Sequence, residues 1–71
     1  LAEARPGQRL RVSRLDAGRR LHARLISMGL PLGSEVEILH NRAGGVVVAV
    51  GAGRLVIGRG MAKKLIGSLL S

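Results

Sequence analysis

The chain contains no cysteine and no phenylalanine, tyrosine or tryptophan. Without cysteine it can form neither a disulfide nor a thiolate metal site, so its core must be built from leucine, valine, isoleucine and methionine. The absence of aromatic rings argues against a reader of single-stranded nucleic acid, because such proteins stack bases on aromatic side chains. It also argues against a groove for proline-rich peptides, whose walls are aromatic.

The sequence also lacks any long apolar run. No segment approaches the roughly 20 apolar residues that span a bilayer, and the first residues do not have the basic-then-apolar order of a signal peptide. Together with the missing cysteines, this predicts a cytoplasmic protein that meets a membrane only through a partner. The 71 residues predict a single domain over 1–71. A domain this small buries only roughly 60% of its surface on folding, so its stability should be marginal.

Acidic residues are scarce as well. Twelve Lys and Arg residues, all but two of them Arg, stand against four Asp and Glu residues, which gives a net charge of +8. Such a surface attracts phosphate polymers, anionic lipids or an acidic protein face, and it is also compatible with solvated surface arginines. A small basic nucleic-acid-binding barrel therefore stays an alternative, although the missing aromatic rings lead us to expect no nucleic acid partner.

The first half of the chain predicts a strand followed by a helix. Leu10 and Val12 alternate with polar residues over 8–14, which is typical of a half-buried strand. From Arg19 the apolar spacing changes to that of one helical face. The residues expected to face inward from this helix are Leu21, Leu25 and Met28.

The end of this helix is well specified. Gly29 can adopt the left-handed conformation after the last turn, and Leu30 can then pack back on Leu25. Pro31 follows and forbids continuation of the helix. This combination predicts a Schellman-type stop.

The second half predicts a meander of short strands. After Gly33 the apolar period returns to two, with Val36 and Ile38 inward. The predicted glycine turns are 41–45, 51–53 and 58–60, and the elements that follow them are strands 46–50 and 54–57, a helical turn Met61–Leu65 and a last strand Ile66–Leu70. If that last strand pairs with the first, the fold is mainly β with short helices. We predict a small SH3-like barrel of about five strands, with one helix after the first strand and a short helical turn before the last.

Groups that could support catalysis or hold a metal are sparse. Glu35 and Glu37 share one face of a strand, which is typical of a solvated surface, and no serine lies in a nucleophile motif. His22 and His40 are the only imidazoles, and no ligand pair has a metal-binding spacing. We therefore expect no enzyme, no cofactor and no specific metal site, with His22 and His40 as the only metal candidates.

Several of these segments together resemble a known family. An opening apolar residue and Pro-Gly precede the segment Arg24-Leu-Ile-Ser-Met-Gly-Leu-Pro-Leu-Gly33, which is followed by Val36-Glu-Ile38 and a glycine hairpin. This order resembles the FeoA family of small ferrous iron transport accessory proteins, from Leu1 to about Ile66. The same SH3-like module occurs as the C-terminal domain of iron- and manganese-responsive repressors. The absence of a helix-turn-helix segment favours the free-standing form, with the repressor module as an alternative.

The resemblance implies a cytoplasmic accessory protein of bacterial ferrous iron uptake. Its partner would be FeoB, the membrane permease for Fe(II), which carries a GTP-binding domain on the cytoplasmic side. Basic charge would steer the encounter with this partner, and exposed barrel edges would allow weak homo-oligomers. We predict that the helix and its stop form the docking ridge, although a solvated helix face and a core role are the ordinary alternatives. The predicted contact residues are Arg20, Arg24, Met28, Gly29, Leu30 and Leu32.

Overall fold

The computed structural model describes all residues of the chain, 1–71. Its elements in chain order are β1 (Arg9–Leu15), α1 (Arg19–Ser27), β2 (Glu35–Arg42), β3 (Gly45–Val50), β4 (Gly53–Gly58), α2 (Arg59–Ala62) and β5 (Leu65–Leu69). The strands form one antiparallel sheet in the order β4-β3-β2-β1-β5, so β4 and β5 are its edges and α2 connects them. The predicted order of elements is confirmed. Neither helix has the length and apolar character that crossing a bilayer requires.

The core is a single cluster of apolar side chains enclosed by the curved sheet and α1. Its members come from all seven elements and from the segment after α1, because each strand turns alternate residues inward. The inward positions predicted from sequence in β1 and β2 are confirmed. The buried residues are Leu10, Val12, Leu15, Leu25, Leu30, Val36, Ile38, Val46, Val48, Ile57, Ala62 and Leu65.

The end of α1 has the predicted Schellman geometry. Gly29 has φ +81°, its N–H donates to the carbonyl of Ile26 at 2.9 Å, and the N–H of Leu30 donates to the carbonyl of Leu25 at 3.1 Å. The side chains of Leu25 and Leu30 are both buried and belong to one core cluster, as expected for the hydrophobic contact of this motif. The stop therefore fixes the direction in which the chain leaves α1 toward β2.

One of the predicted glycine turns is wrong, and another is shorter than predicted. The segment 58–60 is not a hairpin turn, because Gly58 ends β4 and α2 follows directly. The turn predicted over 41–45 is shorter and occupies only 43–44, because the pairing of β2 with β3 continues to Arg42. In both places strand pairing extends further than the local glycine pattern indicates.

The boundary between α2 and β5 also differs from the prediction. The helical turn expected over Met61–Leu65 begins and ends earlier, and β5 starts at Leu65 rather than at Ile66. The reason is that Leu65 pairs with Leu15 of β1 and is 1% exposed. Burial in the core and pairing with β1 outweigh the local helical pattern.

Side chains of Asn41 and Arg59 hold the first residues of the chain against the sheet. Asn41 Nδ2 donates to the carbonyls of Ala2 and Ala4 at 2.9 and 2.7 Å. Arg59 Nη1 donates to the same Ala2 carbonyl at 2.9 Å, and Arg59 Nη2 also donates to the carbonyl of Arg42. This network joins the start of the chain, the β2–β3 hairpin and α2.

Candidate partner-binding groove

The largest concave surface of the molecule lies between α1 and α2. We call it the α1–α2 groove, and its volume is about 390 Å³. One wall comes from α1 and its C-cap, and the other comes from the end of β4, α2 and the connection to β5. The residues that line it are Leu21, Arg24, Met28, Val56, Gly58, Gly60, Met61 and Lys64.

The first wall follows from the spacing of apolar residues in α1. Leu21, Leu25 and Met28 recur on one broad helical face, as the sequence predicts. Only Leu25 reaches the core, where it is 1% exposed. Leu21 and Met28 flank it, are half-buried and contribute their side chains to the groove. The inward prediction is therefore confirmed for Leu25 and holds only in part for the other two residues.

The second wall was not predicted from the sequence. In β4, Ile57 is buried and Leu55 is half-buried, whereas Val56 between them is 61% exposed and lines the groove. Met61 of α2 lines it as well and is half-buried. The sequence does indicate an outward apolar side chain here, because Leu55, Val56 and Ile57 are consecutive in a strand and alternate residues of a strand face opposite sides.

The border of the groove carries cations without counterions. Arg24 from α1 and Lys64 from the α2–β5 connection both line it. The ion pairs of the protein lie on the outer face of β1 and β2, where Glu35 meets Arg9 at 3.9 Å and Arg11 at 3.0 Å. Neither Arg24 nor Lys64 takes part in an ion pair, so both charges are available to a ligand.

Most of the docking residues predicted from the sequence are accessible, and some of them meet at this groove. The exposed ones are Arg20, Arg24, Gly29 and Leu32. Met28 is half-buried and lines the groove with Arg24. Arg20 lies one helical turn before Arg24, on the same flank of α1. Leu32, at 47% exposure, lies beyond the helix stop and does not line the groove.

Leu30 is the exception among the predicted docking residues. Its side chain has no exposed surface, because it belongs to the same core cluster as Leu25 of α1. It supports the helix stop from inside and cannot contact a partner in this conformation. Ile26, which the sequence analysis did not single out, is 64% exposed on α1. Ile26 does not share the helical spacing of the inward residues Leu21, Leu25 and Met28. This difference in spacing could have predicted its exposure from the sequence.

The two histidines lie on different elements and do not form part of a ligand cluster. His22 is on α1, where its Nδ1 lies 3.0 Å from the carbonyl of Gly18, and His40 is exposed on β2. No group of three or more His, Cys, Asp or Glu side chains is arranged to hold a metal ion. Glu35, considered above as half of a carboxylate pair, instead pairs with arginines. The groove is therefore the feature of the surface best suited to bind another molecule.

Three comparisons relate the sequence and the fold of this chain to known proteins. The FeoA domain family model matches residues 1–68. A Methanocaldococcus jannaschii protein that carries the name Fe(2+) transport protein A is 37% identical over 65 residues, which are 92% of this chain and 79% of that protein. The crystal structure of an iron uptake regulatory protein, FeoA, has a TM-score of 0.87 and 31% identity, and the match covers 99% of this chain and 93% of that one.

The same fold also forms part of a longer protein. The crystal structure of the metal-dependent transcriptional regulator MtsR matches with a TM-score of 0.85 and 25% identity, over 99% of this chain but only 34% of the regulator. The SH3-like barrel predicted from the sequence is thereby confirmed. In one relative this barrel is nearly the whole chain, and in the other it is about a third.

Proposed function

Because the chain belongs to the FeoA domain family, we propose that it docks onto the cytoplasmic GTP-binding domain of a FeoB-type permease and so supports ferrous iron uptake. The family and its relatives place the chain among accessory proteins of Fe(2+) transport. To this family role our proposal adds three points: the partner is the permease, the chain is cytoplasmic, and it acts by binding rather than by catalysis. Contact with the membrane would come only through the permease.

The α1–α2 groove is the observation that carries this proposal. It is concave, its walls are largely apolar, and its border carries the cations Arg24 and Lys64. Sites that bind other molecules typically combine apolar concave walls with a few placed polar groups. The groove also uses Arg24 and Met28, two of the docking residues that the sequence analysis proposes. Binding energy from the apolar walls and orientation from the cations would together give a specific complex.

The experiment is calorimetry between the purified chain and the permease from the same organism. Full-length permease in lipid nanodiscs and its isolated cytoplasmic domain are both titrated, each with GDP and with a non-hydrolysable GTP analogue. We expect binding to both preparations, since the proposed contact is with the cytoplasmic domain. Absence of binding to full-length permease in both nucleotide states, together with unchanged Fe(II) uptake after deletion of the gene, would contradict the proposal.

A second candidate function is supported by the likeness to MtsR. In that regulator the fold accounts for about a third of the chain, so this chain could be the corresponding module of a metal-dependent repressor. The two functions differ in what the domain binds. A repressor module should contact the metal-binding part of a regulator when Fe(II) or Mn(II) is present, and it should not bind the permease. Parallel titrations against both partners separate the two candidates.

A further inference from the structure

The walls and the border of the α1–α2 groove together specify the chemistry of its ligand. We propose that the groove binds an acidic segment of the partner protein, in which an apolar side chain enters the groove and neighbouring carboxylates meet its cations. This inference rests on the proposed docking function and adds the chemical character of the partner's contact segment.

The first step is the number of cations that remain unpaired near the groove. Arg24 and Lys64 line it, and Arg20 lies one helical turn before Arg24 on the exposed face of α1. α1 contains no acidic residue at all. None of these three cations takes part in an ion pair, because the only pairs in the protein involve Glu35 on the outer face of the sheet.

The second step is that the fold gathers further cations at the same end of the molecule. Leu15 pairs with Leu65 across β1 and β5, and the N–H of Asp16 donates to the carbonyl of Lys64 at 2.8 Å. This brings the α2–β5 connection beside the segment that leads into α1. The exposed cations that these two segments and α1 carry are Arg19, Arg20, Arg24, Lys63 and Lys64. Asp16 is the only acidic residue in those segments, so the region is strongly positive.

The third step is the apolar lining between the cations. Leu21, Met28 and Met61 are half-buried there, and Val56 is 61% exposed. Methionine side chains are flexible and adapt to the shape of an inserted apolar group. A partner segment therefore needs an apolar residue at its centre, and a purely acidic segment would leave this lining exposed to water.

A protein segment fits these observations better than a membrane or a nucleic acid does. A lipid surface is engaged by apolar side chains that protrude, whereas Leu21, Met28 and Met61 are half-buried in the lining of a concave groove. Single-stranded nucleic acid is bound by stacking on aromatic rings, and this chain has none. The combination of concave apolar walls and unpaired cations matches alternating apolar and acidic residues.

The test measures affinity of groove variants for the permease's cytoplasmic domain. Arg24→Gln/Lys64→Gln should weaken binding roughly tenfold at low salt. Arg5→Gln/Arg42→Gln removes the same charge at exposed, unpaired positions that do not line the groove, and it should change the affinity less than about twofold. Val56→Ser should weaken binding about fivefold or more, and Leu69→Ser should not. Val56 and Leu69 form a matched pair because they are 61% and 60% exposed. Arg24→Lys should retain most of the affinity, since it keeps the charge.

Overlapping peptides from the same cytoplasmic domain identify the segment directly. We expect the peptides that bind to contain an apolar residue flanked by Asp or Glu, and their affinity to fall as NaCl is raised. Phosphatidylglycerol vesicles and a single-stranded DNA oligonucleotide are titrated in parallel. Tighter binding to either of these than to every peptide, with the groove variants lowering it, would overturn the proposal in favour of that ligand.

The remaining outcomes separate this inference from the docking function. If the permease binds the wild-type chain and all groove variants equally well, the docking function stands and the acidic-segment proposal is wrong. If full-length permease does not bind in either nucleotide state and deletion of the gene leaves Fe(II) uptake unchanged, both proposals are wrong. Circular dichroism of every variant confirms that a lost affinity does not come from unfolding.

Discussion

Arg59 Nη2 donates a hydrogen bond to Oδ1 of Asn41 at 2.7 Å, and this contact joins α2 to the β2–β3 hairpin. Both side chains also bind the carbonyl of Ala2, so they tie three parts of the chain together. α2 supplies one wall of the α1–α2 groove, which means that the position of this wall depends on a polar network outside the groove. The network is thus a structural support for the candidate site.

The first prediction concerns this network. Asn41→Ala and Arg59→Met should each lower the free energy of unfolding by about 1–3 kcal/mol, because each leaves partly buried polar partners without a hydrogen bond. The double variant should lose clearly less free energy of unfolding than the sum of the two single losses, since each single variant already removes the hydrogen bond between Arg59 and Asn41. Urea unfolding measures all three values, with Arg54→Met as the control at an exposed site. Strictly additive losses would mean that the two residues act independently.

The second prediction concerns the buried face of α1. Leu25→Ala should destabilise the domain by about 2–5 kcal/mol, because it removes packing from a side chain that is 1% exposed. For a domain of this size such a loss approaches the total stability. Ile26→Ala, the neighbouring residue at 64% exposure, is the matched control and should cost little. Thermal unfolding followed by circular dichroism compares the two, and similar melting temperatures would contradict the assignment of the core face.

The third prediction separates backbone strain from crowding at the helix stop. A Cβ added at Gly29 or at Gly44 would meet nothing within 4 Å, but of these two residues only Gly29 has a positive φ, +81°. Gly29→Val should therefore lower the free energy of unfolding by about 1–3 kcal/mol, whereas Gly44→Val should have a smaller effect. Equal effects in urea unfolding would show that the left-handed conformation of Gly29 is not the source of the cost.

The fourth prediction concerns the close approach of β3 and β4. A Cβ added at Gly45 would lie 2.5 Å from the carbonyl oxygen of Ile57, and the residue also has φ +149°. Gly45→Ala should therefore destabilise the domain by about 3 kcal/mol, because a backbone atom of the neighbouring strand must move. Since β4 ends in a wall of the α1–α2 groove, partner affinity should fall as well. Near-native stability of this variant in urea unfolding would show that the hairpin can relax at little cost.

The fifth prediction concerns metal binding by the two histidines. Because His22 and His40 lie on different elements and no three ligands cluster, the variant His22→Ala/His40→Ala should bind Fe(II) or Mn(II) as weakly as the wild-type chain. Calorimetric titration under anaerobic conditions checks this. A wild-type chain that binds either metal tightly, with loss of binding in the variant, would assign a metal site to these histidines.

Features of the fold that depend on local spacing were predictable from the sequence. The alternation of Leu10 and Val12 indicates β1, and the Gly29-Leu30-Pro31 segment indicates the end of α1, because strand alternation and helix stops are properties of neighbouring residues. The limits of α2 were not predictable in the same way. They depend on the pairing of Leu65 with β1 and on the hydrogen bonds of Arg59, and both involve partners far away in sequence.

The candidate site shows the same division between local and distant information. The side of the groove formed by Arg24 and Met28 follows from the helical spacing in α1. The opposite side, with Val56 and Lys64, becomes adjacent only when the sheet curves and α2 crosses from β4 to β5. Leu30 was predicted to contact a partner together with its neighbours Gly29 and Leu32, which are exposed. Its own side chain is buried, which its position in the sequence does not reveal.

The pairing of β1 with β5 joins the first strand of the fold to the last. On a ribosome, β2, β3 and β4 emerge one after another and can pair as each appears, but β1 must wait for β5 before both of its edges are covered. During that interval the nascent domain has an open strand edge beside incompletely covered core residues, which is the condition that favours misassociation. Closure of the sheet on the β1 side therefore waits for the last strand of the fold to be made.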